Sequence, residues 1–239
     1  LALKTRLETL GFEVEVRGGK AATASDASGR ALVLISESVA SADVGAKFRN
    51  SPVPLLVSEP SILDDMGMTG VTWATDFGDV LNQTTVVVGE KAGLIGAGLS
   101  GQVAVTLSSE KFVWGIPGPS AIRVANVLGQ PHRLAEFAYE AGATMVGGRA
   151  PARRLFLFAG RSAPKNFSPK GWELFDAAIK WLTQPSALLL AAKGPLSPSD
   201  LALKSRIESL GFTVAVMSDE GVDRDAAERS KGVVISEST

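Results

Sequence analysis

Apolar residues recur along this chain at two periods, and the switches between them mark its elements. Leu201, Leu203, Ile207 and Leu210 lie at helical spacing, and Gly211 follows where a left-handed cap residue belongs. Thr213 to Met217 then alternates as a strand, and Gly232 to Ile235 reads as another. Ahead of the helix, Ser186 to Gly194 has an apolar centre, Ala187-Leu188-Leu189-Leu190-Ala191-Ala192, the pattern of a buried strand. The turn from Pro195 to Asp200 ends in helix N-cap residues. The expected run is β-α-β-α-β.

The same run opens the chain. Residues 1–39 align without a gap on residues 201–239 at an offset of 200, with 17 of 39 positions identical. The matches gather in LALK.R.E.LGF.V.V and V.ISES. The chain is therefore read as one repeat period plus the first 39 residues of the next. On that reading 1–185 is one module without its first strand, and 186–239 is the opening third of a second. With no initiator Met and no signal peptide, the chain is expected to be a piece of something longer. The link between modules is expected to be Gln184-Pro185 alone, which implies a stiff array.

Between the repeats, Val44 to Phe48 reads as a short helix behind Asp43. Val53 to Val57 reads as a central strand and 59–68 as the loop at its carboxyl end. Residues 71–128 are mostly strand, with strands at 84–88, 102–107, 111–114 and 121–127, and 137–139 and 144–146 continue the series. Arg153 to Phe158 is a further strand. Ser168-Pro169 starts a helix whose apolar face is Trp172, Phe175, Ile179 and Leu182. Strands alternating with helices predict a mostly parallel sheet with helices on both faces. The β-rich middle is then an insertion in that sheet or an antiparallel extension of it.

Composition narrows the chemistry. Lys plus Arg is 24 and Asp plus Glu is 25, a balance unlike the basic excess of nucleic-acid binders. The apolar runs fall far short of the roughly 18–20 residues of a membrane helix. Cys is absent, which removes disulfides, thiolate nucleophiles and Cys-bound metals, and the single His132 excludes a two-histidine mechanism.

The stretches LKTRLETLGFEVEV, LVLISESV, VGAKFR, VPLLVSEPSILDDMGMTG, APARRLFLFAG and GWELFDAAIKW resemble modules of large secreted bacterial proteins. Those modules are similar to the ThuA-like branch of the class I glutamine-amidotransferase-like fold. The resemblance spans most of 1–182 and the repeated start at 186–239. It implies a flavodoxin-like fold and an extracellular or cell-surface place, and no reaction. The amidotransferases of this fold use a Cys nucleophile with His and Glu, and this chain has no Cys.

Several residue groups invite a chemical reading. Gly96-Ala97-Gly98-Leu99-Ser100-Gly101 matches G-x-G-x-x-G, but a strand rather than a helix is expected after it, and no acid lies between Lys111 and Ala135. No cofactor is expected. Glu59, Asp64 and Asp65 cluster where open α/β sheets bind ligands and could offer hard oxygens to a cation such as Ca²⁺, without EF-hand spacing. His132 could pair with Ser120 or Ser100, but no G-x-S-x-G elbow exists. Asn82 and Asn166 head N-x-[ST] glycan-acceptor patterns. Trp73 and Trp114 stand in the β-rich middle as partner-contact residues, whereas Trp172 and Trp181 read as packing.

The expectation is a non-catalytic extracellular building block whose partner is itself. Modules join head to tail into a filament, sheath or surface array, with Ala187 to Ala192 as the assembling strand. The tandem version is covalent. In the other version separate subunits exchange the strand. The alternative is a ligand- or carbohydrate-binding module or an enzyme, with its site near Glu59, Asp64 and Asp65.

Overall fold

A computed structural model describes residues 2–192, 194–218 and 232–235. The chain divides into two compact units, 1–182 and 183–239.

Unit 1 opens with helix α1 (Ala2–Thr9), whose Leu3 and Leu7 pack onto the core. Strands β1 (Val33–Ile35) and β2 (Leu55–Val57) flank the short helix α2 (Ser41–Val44). That helix lies just before the expected 44–48, which is turn apart from Val44. Six strands follow: β3 (Phe77–Gln83), β4 (Thr85–Val88), β5 (Gly101–Ala104), β6 (Glu110–Gly115), β7 (Ile122–Val127) and β8 (Gln130–Tyr139). A small hairpin, β9 (Thr144–Met145) with β10 (Gly148–Arg149), leads to β11 (Arg154–Leu157) and helix α3 (Pro169–Thr183).

One nine-stranded sheet runs β1-β2-β11-β8-β7-β4-β5, with β6 joined to β8 and β3 to β6. Only β1·β2 and β2·β11 are parallel in it; β11 meets β8 antiparallel, and every pair beyond is antiparallel. The expected flavodoxin-like, mostly parallel sheet is thus corrected to a mixed α/β sheet, mostly antiparallel. The β-rich middle is no insertion, because β8 hydrogen-bonds directly to β11 and carries the sheet onward. Alternation along a strand reports which face is buried, not which strand lies beside it.

The sheet is covered on both faces. On one side α1 and α3 cover Phe112, Trp114, Leu155, Leu157 and Phe158. On the other, Val44 of α2 and the turn at 60–68 cover Val57, Phe137, Tyr139 and Phe156. Each fully buried Phe contributes about 2–3 kcal/mol by burial. Ser168 starts α3, accepting from Gly171 N at 3.1 Å and donating to Ala104 O at 2.7 Å. Strand β2, expected to be central, is second from the β1 edge but wholly buried, as its unbroken apolar run requires.

Unit 2 holds β12 (Ser186–Ala191), helix α4 (Pro198–Ser209), β13 (Thr213–Ser218) and β14 (Gly232–Ile235). Strand β12 is central, parallel to β13 on one edge and to β14 on the other. A capping box starts α4: Ser197 Oγ accepts from Asp200 N at 3.1 Å, and Ser197 N donates to Asp200 Oδ2 at 3.2 Å. The remainder of 219–239 lies outside the described residues.

Candidate functional site

The repeat allows the two units to be compared element by element. Helix α1 corresponds to α4, residues 13–18 to β13, and β1 to β14. The helices end alike: Leu10 N donates to Arg6 O at 3.0 Å, and Leu210 N to Arg206 O at 3.3 Å. Leu7 and Ile207 are the buried apolar residues of the two helices.

The strands after them differ. Thr213–Ser218 is a strand against β12, while residues 13–17 form none. Val14 packs partly on the core, but Val16 is 71% exposed. Strand β1 ends the sheet and, among the described residues, pairs with β2 alone. Val33 N donates to Pro54 O at 3.0 Å, and Ile35 O accepts from Ser58 N at 2.8 Å. Strand alternation turns the Leu34 amide and carbonyl to the outer edge. In unit 2 the corresponding strand β14 pairs with β12. Unit 1 therefore presents a sheet edge and an unpaired segment where unit 2 has a central strand.

A polar cluster caps the carboxyl ends of the parallel strands. Glu37 follows β1, Glu59 follows β2 and Arg161 follows β11. Lys111 of β6 bonds Glu37 and lies 3.8 Å from Asp79, and Arg161 Nε lies 3.7 Å from Glu37 Oε2. Glu37 and Glu59 are both buried. Glu59 accepts from Ser61 N at 2.9 Å as a helix-cap residue. Burial raises the Glu59 carboxyl above its ordinary range, and the nearby Glu37 charge adds to this. Arg161 is 70% exposed and lies too far from Glu37 to hydrogen-bond it, so Glu37 Oε2 is buried without a hydrogen bond.

The residues singled out from sequence fall as follows. Asp64 and Asp65 lie in the turn after Glu59, with Asp64 Oδ1 buried without a hydrogen bond. Burial and Asp64 raise Asp65. No group of three or more His, Asp or Glu able to hold a metal occurs among the described residues. The loop ending at Gly101 leads into a strand, with positive φ at Ala97, Gly98 and Gly101. His132 is exposed on β8, and the Ser120 hydroxyl donates to Thr144 O. Asn82 is exposed, whereas the Asn166 amide donates to Glu110. Trp73 is half exposed, but Trp114 is buried under Arg133 and cannot offer a partner surface. Ala187 to Ala191 lie in β12, with Ala192 just past it.

Glu37, Asp79, Lys111 and Arg161 escaped the sequence reading. The repeat held a signal for one of them: Ile35-Ser36-Glu37-Ser38 recurs as Ile235-Ser236-Glu237-Ser238. No family model, curated protein or solved structure matches the chain.

Proposed function

We propose that the chain is a structural, non-catalytic building block that joins end to end with copies of itself in an extracellular array, sheath or filament. One observation carries this reading. Strand β12 is flanked on both edges in unit 2, while among the described residues the counterparts of its two partners in unit 1 have no strand between them. A repeated contact of this kind is heterologous, and unless it closes into a ring it propagates. The extracellular placement rests on the resemblance of the sequence motifs to modules of secreted bacterial proteins.

The test is a pair of masses on the native protein. A denatured mass several times 24.9 kDa supports covalent tandem modules. A denatured mass near that value with a larger native mass supports separate subunits exchanging strands. Single copies in both measurements overturn the reading.

A second reading, a ligand- or carbohydrate-binding module, is favoured by buried Glu37 and Glu59 at the ends of parallel strands. Saturable oligosaccharide binding that is lost in Glu59→Gln, with the fold intact by circular dichroism, supports it. No binding across an oligosaccharide panel removes it.

A further inference from the structure

We propose that the outer edge of β1 accepts the Ser186–Ala191 strand of a neighbouring copy, in one register. This rests on the end-to-end reading for the source of the strand and adds where and how it seats.

The register follows from the repeat. In unit 2, Leu188, Leu189 and Leu190 pair with Val233, Val234 and Ile235. At the offset of 200, those partners become Val33, Leu34 and Ile35. On the other edge Ser186 to Ala191 pair with Thr213 to Ser218, whose counterparts are Glu13 to Gly18. The incoming strand would therefore draw 13–18 into the sheet as its outermost strand.

The faces agree with this register. Ala187, Leu189 and Ala191 are the buried alternate residues of β12. In unit 1, Leu32 and Leu34 pack into the α1 side of the core, while Val33 and Ile35 belong to the opposite side. The register places Leu189, fully buried in unit 2, beside Leu34. A slip of one residue would place it beside Val33 or Ile35, on the wrong face. Other edges lack this match, because neither β3 nor β5 has a counterpart in the repeat. In the donor copy β12 exchanges β13 and β14 for segments of related sequence, so like replaces like. Val16 records what is missing: it is 71% exposed, and its counterpart Val216, within a strand, is 38% exposed.

The chain's lack of Cys makes the register directly readable. The probe is a synthetic peptide of residues 183–192 bearing Leu188→Cys, added under mild oxidation to the full chain carrying Val33→Cys or Leu34→Cys. Neighbouring strands lie about 4.8 Å apart, within disulfide reach for residues on the same face. We expect roughly tenfold more cross-linked product with Val33→Cys than with Leu34→Cys, whose side chain faces the other way. A second pair, peptide Leu190→Cys with Ile35→Cys, keeps the test valid if the first variant fails to fold. Equal cross-linking at Val33→Cys and Leu34→Cys, or none with either same-face pair on folded chains, overturns the proposal. The native mass of the untreated chain is measured alongside. Association without selective cross-linking overturns this register and leaves the building-block reading intact. Selective cross-linking of a chain that stays a single copy overturns the end-to-end reading and retains the edge as a strand acceptor.

Discussion

Gly11 and Gly211 close their helices with the same backbone, φ being +90° at the first and +91° at the second. Gly11 N donates to Glu8 O at 3.0 Å, and Gly211 N to Glu208 O at 2.9 Å. Phe12 N and Phe212 N reach back to Leu7 O and Ile207 O. This double bond pattern is a Schellman-type stop, and it needs a residue free to adopt positive φ. Nothing lies within 4 Å of a Cβ built on either glycine. The cost of a side chain there is therefore conformational, not steric crowding by neighbours. Gly11→Ala is expected to lower stability by about 1–2 kcal/mol, read by urea denaturation. An unchanged midpoint would refute the cap.

Arg154 holds the chain entering β2. Its Nη2 donates to Ser51 O at 2.6 Å and Arg49 O at 3.3 Å, and its Nη1 to Val53 O at 3.1 Å. The residue is fully buried, and desolvation lowers its pKa to about 10. No single-headed cation can reproduce that fan of donors. Arg154→Met should cost about 2–3 kcal/mol by stranding buried carbonyls, and Arg154→Lys should recover less than half. Full recovery in the Lys variant, by chemical denaturation, would show that charge rather than geometry matters.

The apolar pattern made β4, β6, β7, β11, β12 and α3 legible, along with the buried character of β2, but it marked no strand at β3 and only residues 137–139 of β8. The partners of these strands were not legible. Arg153 to Phe158 reads as a strand with either neighbour, yet β11 is the seam where parallel β2 and antiparallel β8 meet. Residues 13–17 show the converse. Their pattern matches Thr213–Met217 closely, but a strand also requires a partner for its backbone, and β12 supplies one only in unit 2. Glu59 was legible as a strand-end acid. Its neighbours were not, because Asp79, Lys111 and Arg161 arrive from distant strands.

Lys111 is predicted to stabilise the fold through Glu37. Their ion pair combines a buried carboxylate with a one-third-exposed ammonium. A double-mutant cycle with Lys111→Met and Glu37→Gln should give a coupling of about 1 kcal/mol, reduced by added salt. Losing Lys111 also removes a charge that lowers the Glu59 pKa. The Glu59 carboxyl should then titrate higher, as followed by carbon-detected NMR. A coupling of zero would mean that the pair is solvated and idle.

Glu136 makes the stability of the protein fall as pH rises. It sits in β8 between Leu157 of β11 and Ala125 of β7, fully buried, and neither carboxyl oxygen has a hydrogen bond. Desolvation holds its carboxyl well above the ordinary 4.5. Below the unfolded-state value both states carry the proton, and the protonated side chain is accommodated without a buried charge. Above it the unfolded chain releases the proton while the folded chain retains it, so stability declines until pH passes the folded value. Glu59 and Asp65, also raised, add to the decline in the same direction. Glu136→Gln removes the largest contribution. It should leave stability near pH 4 little changed and raise it at pH 8 by on the order of 1–3 kcal/mol. Urea midpoints collected across that range would decide the matter: parallel pH profiles for the two proteins would show that Glu136 does not titrate in the folded state as its burial requires.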